Sequence, residues 1–141
     1  MKRYFVLLVL LAGILLPMAW FGRFSESYQV VFDFVFGPPW MHVVTHALLF
    51  AVLAYLLAVV FSALIGASAS GQSRLLLVVI AVFAIALMVA LLQEIIQLTY
   101  KGRSFGDAEW FDLGVDMIGI GLGLVFSELG RWLKIPRLRS G

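Results

Sequence analysis

Residues 75–100, LLLVVIAVFAIALMVALLQEIIQLTY, decide the class of fold. The first 18 of them carry no charge and no side-chain amide. At ~1.5 Å of rise per residue such a run crosses a hydrocarbon core of ~30 Å as a helix, the one open-chain conformation that satisfies its own backbone there. Polar groups enter only near its end, as Gln93, Glu94 and Gln97. On the C-terminal side a second apolar run follows, glycine-rich from Phe111 to Ile135 and closing in Arg131, Lys134, Arg137 and Arg139. On the N-terminal side a third run, from Trp40, begins after Pro38-Pro39, which suits a helix start because proline needs no amide donor there. It closes in the small polar turn Gly66-Ala67-Ser68-Ala69-Ser70-Gly71. The chain opens with Lys2-Arg3 and an apolar run to Trp20. A secretory signal peptide begins in the same way, but Trp20 and Phe21 are bulky and no small-x-small cleavage site is present, so an uncleaved first span is expected.

The spacing therefore predicts an all-α fold: a four-transmembrane-helix bundle with spans at about 4–21, 40–66, 75–100 and 111–135. Composition agrees, with 63% hydrophobic and 13% charged residues against the ~45–50% and ~25% of a soluble domain. Nothing is left over for a separate soluble domain, so residues 1–141 are read as one membrane domain. A formal charge of +2 gives no reason to expect nucleic acid as a partner, and the lack of cysteine excludes disulfides, thiolate metal sites and a cysteine nucleophile. No internal repeat of the inverted-transporter kind is visible.

Short loops obey the positive-inside rule. Placing both termini in the cytoplasm puts Lys2, Arg3, Arg74, Arg131, Lys134, Arg137 and Arg139 inside and leaves Arg23, Lys101 and Arg103 outside. Segments 22–39 and 101–110 then face out, with Trp20, Phe21, Phe24, Tyr28 and Trp40 as an outer aromatic belt and Trp132 as an inner one. In segment 22–39, Phe24, Tyr28, Val31 and Val35 recur opposite Ser25, Gln29 and Asp33, the pattern of a short amphipathic helix in the interface.

Ionisable residues inside apolar helices mark function by default. His46 lies 20 residues from Gly66, Glu94 20 from Arg74, and Asp116 18 from Lys134, so all three stand ~27–30 Å from the inner ends of their helices. His42 and His46 share a helix face; so do Ala86, Ala90, Glu94 and Gln97, and so do Asp112, Asp116, Gly119, Gly123 and Ser127. Small residues draw helices together, so the stripe Gly119-x-x-x-Gly123 should carry the aspartates into the bundle. Glu128 and Arg131 fall elsewhere, as an expected ion pair without a functional role. In the loop between the last two spans, Arg103 has two readings: an anion clamp together with Lys101, or a counter-charge for Glu94, Asp112 or Asp116.

The order of these residues resembles the VanZ-like family of small bacterial integral membrane proteins. The matching positions are His46 followed by Phe50, then Glu94-x-x-Gln97, then Arg103-Ser104, then Asp112, Asp116 and Gly119, over roughly residues 40–125. The family pattern often has Asp-Lys where this chain has His42-Val43, and Asn where it has Asp116; an imidazole for a carboxylate and a carboxylate for an amide is an exchange that would preserve pairing across the site. The resemblance implies a place in the bacterial cytoplasmic membrane and an accessory part in resistance to the glycopeptide teicoplanin. It does not imply a reaction.

The expected function is accordingly a multi-pass cell-envelope protein with an outward-facing polar cluster, acting without catalysis as an accessory or binding protein. Its partners would be the bilayer and either a larger membrane complex or an anionic envelope lipid. The alternative is an enzyme on a lipid-linked or anionic substrate, with Glu94, Asp116 and His46 as acid, base and partner. In both, Arg103, Lys101, Gln97, Ser104 and Asp112 would contact the ligand. No cofactor is expected, although His42 and His46 at i and i+4 are spaced to share a metal with Glu94, and with Asp112 or Asp116. A channel or carrier is the remaining class.

Overall fold

The structure is a computed structural model that describes residues 2–16, 24–65 and 71–132. Five helices account for nearly all of these: α1 (Lys2–Leu15), α2 (Glu26–Phe36), α3 (Pro39–Leu64), α4 (Gly71–Lys101) and α5 (Asp107–Trp132). Among the described residues there is no strand. Among the described residues, three helices are long and apolar enough to cross a membrane, over Pro39–Ile65, Gln72–Lys101 and Asp107–Trp132, and Tyr4–Leu15 is a shorter apolar helix. The described helices thus have the length and composition of membrane spans.

The apolar runs marked the middles of the helices better than their ends. α5 starts at Asp107, ahead of its apolar run, because Asp107 and Glu109 in its first turn favour the positive end of the helix dipole. Glu109 also closes that end: its Oε2 accepts from the Gly106 amide at 2.9 Å, the reach of a capping-box glutamate. α4 ends where Gly102 takes a left-handed φ of 63° and the Arg103 amide donates back to the Leu98 carbonyl at 3.2 Å, a Schellman-type stop. α3 begins on Pro39, as its proline pair suggests. The short helix expected between the first two spans is present as α2, capped by Ser25, whose side chain accepts from the Tyr28 amide. The expected first span of 4–21 is narrower in the described part, because α1 ends at Leu15. Trp20, Phe21 and Arg23, the turn at 66–70, and Lys134, Arg137 and Arg139 lie outside the described residues.

α3 packs mainly on α5, α4 lies against both, and α1 covers α3 and α4 from one side. α3 and α5 run parallel, since the side-chain pairs between them keep a sequence offset of 70 residues at one end and 69 at the other. Their closeness has a local cause. A Cβ at Gly119 would run into the Ala47 carbonyl, and one at Gly123 into the Ala51 carbonyl and, at 2.9 Å, the Ala54 methyl. The glycine stripe therefore brings two backbones into contact, as small residues do where no water is available to drive burial. Phe50, Leu53, Ala54, Val82, Ala86 and Ile120 form the core between the helices. Outward, large apolar side chains such as Leu48, Leu76, Met88, Ile118 and Phe126 stay exposed, the surface a bilayer would cover.

Candidate functional site

At the end where α3 and α5 begin, the parallel register lays two histidine–aspartate pairs one above the other. His42 Nε2 faces Asp112 Oδ2 at 3.2 Å, and one helical turn deeper His46 Nδ1 faces Asp116 Oδ1 at 2.9 Å. An ionised carboxylate only accepts, so each imidazole supplies the N–H. The two rings lie 4.4 Å apart between centroids. The rungs share chemistry but not surroundings: side-chain exposures are 46% and 18% for His42 and Asp112, against 6% and 0% for His46 and Asp116.

α4 adds the third wall. Ala86 and Ala90 are fully buried below Glu94, which is itself buried, so the small-residue stripe lets α4 approach and carries the carboxyl in. His46, Glu94 and Asp116 present ligand-type atoms all within 4.8 Å of one another, and His42, His46 and Asp112 form a second such group. Two oxygens of the inner group, Glu94 Oε1 and Asp116 Oδ2, are buried with no hydrogen-bond partner among the described residues. The next residue out of register, Gln93, is also buried and leaves its Oε1 unpartnered.

Above the outer rung is an open cleft of about 600 Å³, walled by Trp40, Val43, Ala108 and Phe111 and floored in part by His42 and Asp112. The cleft thus reaches the outer pair, His42 and Asp112, while His46, Glu94 and Asp116 are buried one turn further along the helices. The neighbouring loop has its own contacts. Lys101 Nζ donates to Gln97 Oε1 at 3.1 Å, and Arg103 Nη2 stands 3.9 Å from Glu109 Oε1 while its side chain stays 62% exposed. Phe105 and Trp110 pack edge to face at 5.2 Å, and Ser104 is exposed.

The structure therefore brings together His46, Glu94 and Asp116, and separately His42 with Asp112. The metal set expected from spacing, His42 with His46 and Glu94, divides differently: His42 groups with Asp112, and Glu94 with Asp116, because the parallel register of α3 and α5 assigns one aspartate to each histidine. The counter-charge expected of Arg103 also goes elsewhere, to Glu109, which is held in place by capping α5. The sequence pattern assigns no site role to Glu109 or Gln93. Glu109 supplies only the glutamate half of a capping box, since Gly106 has no side chain to complete the sequence signature; Gln93 differs from Gln97 only in its angle about the helix.

At the opposite end the polar contacts are basic. Arg131 Nη1 pairs with Glu128 at 2.9 Å, as the spacing predicts, while Arg131 Nη2 donates to the Ser62 hydroxyl and Arg74 Nη2 to the Ser62 carbonyl. Three helices are tied there through one serine.

Set beside known proteins, the chain matches no family model, no curated protein and no solved structure. The geometry stands on its own.

Proposed function

We propose that the chain is a VanZ-like multi-pass protein of the bacterial cytoplasmic membrane, with both termini in the cytoplasm and the cleft facing out. It acts there as a binding or accessory protein for an envelope lipid with an anionic headgroup. One observation carries the reading: an open, aromatic-walled cleft at a helix end, floored by a half-exposed histidine–aspartate pair. Apolar walls with a few convergent polar groups are what small-ligand sites share. Trp40 and Phe111 suit the hydrocarbon part of an amphiphile. Arg103, on the loop that leads into the first turn of α5 and 3.9 Å from Glu109, offers an exposed guanidinium at the same end of the bundle for a phosphate or carboxylate. The orientation rests on the positive-inside count over the whole sequence, seven cations against three, to which Arg74 and Arg131 at the end away from the cleft contribute.

The test uses the full chain in nanodiscs containing a polyprenyl phosphate, read by native mass spectrometry. Retention of one polyprenyl phosphate by the wild type, lost in Arg103→Ala and Trp40→Ala with the helical circular-dichroism spectrum preserved, is expected. Equal retention by all three proteins overturns the cleft as the site. Teicoplanin susceptibility with and without the chain is the corresponding cellular readout. Convergence of His46, Glu94 and Asp116 in one buried group favours acid–base catalysis as a second reading. That reading requires chemical turnover of the bound lipid, which mass spectrometry of the recovered ligand detects.

A further inference from the structure

The buried rung holds more carboxylate than its donors can serve. Glu94 and Asp116 offer four oxygens, His46 supplies a hydrogen bond to Asp116 Oδ1, and Glu94 Oε1 and Asp116 Oδ2 face no donor among the described residues. All three side chains are more than nine-tenths buried. Two carboxylates that share a single donor in a low-dielectric interior are each costly to keep charged, by several kcal/mol for a charge left unpaired. A divalent cation between them removes that cost at its source: with a neutral imidazole as third ligand, two carboxylates and a 2+ ion sum to zero charge.

From this we propose that His46, Glu94 and Asp116 form a binding site for one divalent first-row transition-metal ion. The donor set selects the class of ion. An imidazole with two carboxylates suits zinc, manganese or ferrous iron, whereas calcium and magnesium take oxygen alone and cuprous ions take sulfur. The spacing fits after a small closure. Ligands at ~2.0–2.2 Å from a tetrahedral ion stand ~3.5 Å apart, and these atoms already lie within 4.8 Å of one another. The outer donors mark the side from which an ion would arrive. His42, His46 and Asp112 make the second group of the same spacing, one turn nearer the cleft, so an ion arriving from the cleft meets a first set of donors that shares His46 with the final one. The site needs no lipid and stands whether or not the cleft binds one.

Zinc is the probe. The untagged full chain in detergent, stripped with chelator and dialysed against Zn²⁺, is expected to hold about one equivalent by elemental analysis. Glu94→Gln and Asp116→Asn, which keep side-chain size, are each expected to weaken binding by more than the ~10–100-fold that loss of an outer-sphere partner costs. Asp107→Asn, on the exposed first turn of α5, should retain the equivalent. Less than about 0.1 equivalent in the wild type, or undiminished binding in both carboxylate variants, overturns the proposal. X-ray absorption of the zinc-loaded wild type decides independently of whether those variants fold. An imidazole with oxygen ligands at ~2.0–2.2 Å is expected, and a spectrum without an imidazole contribution contradicts the site.

Discussion

Two histidine–aspartate pairs on the same two helices, one turn apart and at the same sequence offset, differ in almost nothing but solvent. The His42–Asp112 pair borders an open cleft, and the His46–Asp116 pair is sealed beneath it with Glu94. The contrast teaches that pairing alone does not define a site. An exposed pair contributes little to stability and is free to exchange its hydrogen bonds with a ligand, while a buried pair is held by the cost of leaving either partner alone.

That difference can be broken first by truncation. Asp116→Ala strands a buried imidazole and an unaccompanied Glu94, and should lower the free energy of unfolding in detergent by ~3–5 kcal/mol, whereas Asp112→Ala should cost at most ~1 kcal/mol. Equal losses would mean that the two rungs are not differently solvated. The parallel register that creates the rungs is open to a second test. Gly123→Ala places a methyl against the Ala51 carbonyl and the Ala54 side chain and should destabilise by ~1–3 kcal/mol. Gly121→Ala, two residues away on the same helix with open space at its Cβ, should instead be neutral or stabilise by up to ~1 kcal/mol through helix propensity. Opposite signs at these positions locate the α3–α5 seam.

A double-mutant cycle sharpens the comparison further. The coupling between His42 and Asp112 should be ~0.2–1 kcal/mol and fall with added salt, and that between His46 and Asp116 should be larger and insensitive to salt. The smallest effect belongs to the far end of the bundle. Glu128→Gln removes an i,i+3 partner of Arg131 and should cost only ~0.3–0.5 kcal/mol, because the guanidinium keeps its bond to Ser62.

Much of this arrangement is legible in the sequence because a membrane simplifies the physics. Depth follows from counting residues, so His46, Glu94 and Asp116 could be set at one level before their helices were placed. The face of α5 followed from the small residues that any close helix contact needs, and Gly119, Gly123 and Ser127 are buried with Asp116 as that rule requires. What counting does not supply is the angle between neighbouring helices. The division of the donors into two groups depends on the α3–α5 register, and the choice of Glu109 by Arg103 depends on a helix start that lies ahead of the apolar run. Hydropathy marks where lipid is, and charged first turns extend helices beyond it.

The separate solvation of the two rungs can be measured directly, because the chain carries no cysteine of its own. His42→Cys and His46→Cys, each the sole thiol of its variant, are exposed in intact cells to a maleimide that cannot cross the membrane. Rapid labelling of His42→Cys and protection of His46→Cys is the expected result, and it places the cleft on the outer face. Equal labelling of the two, or labelling of His42→Cys only after the cytoplasmic face is opened, would contradict the account.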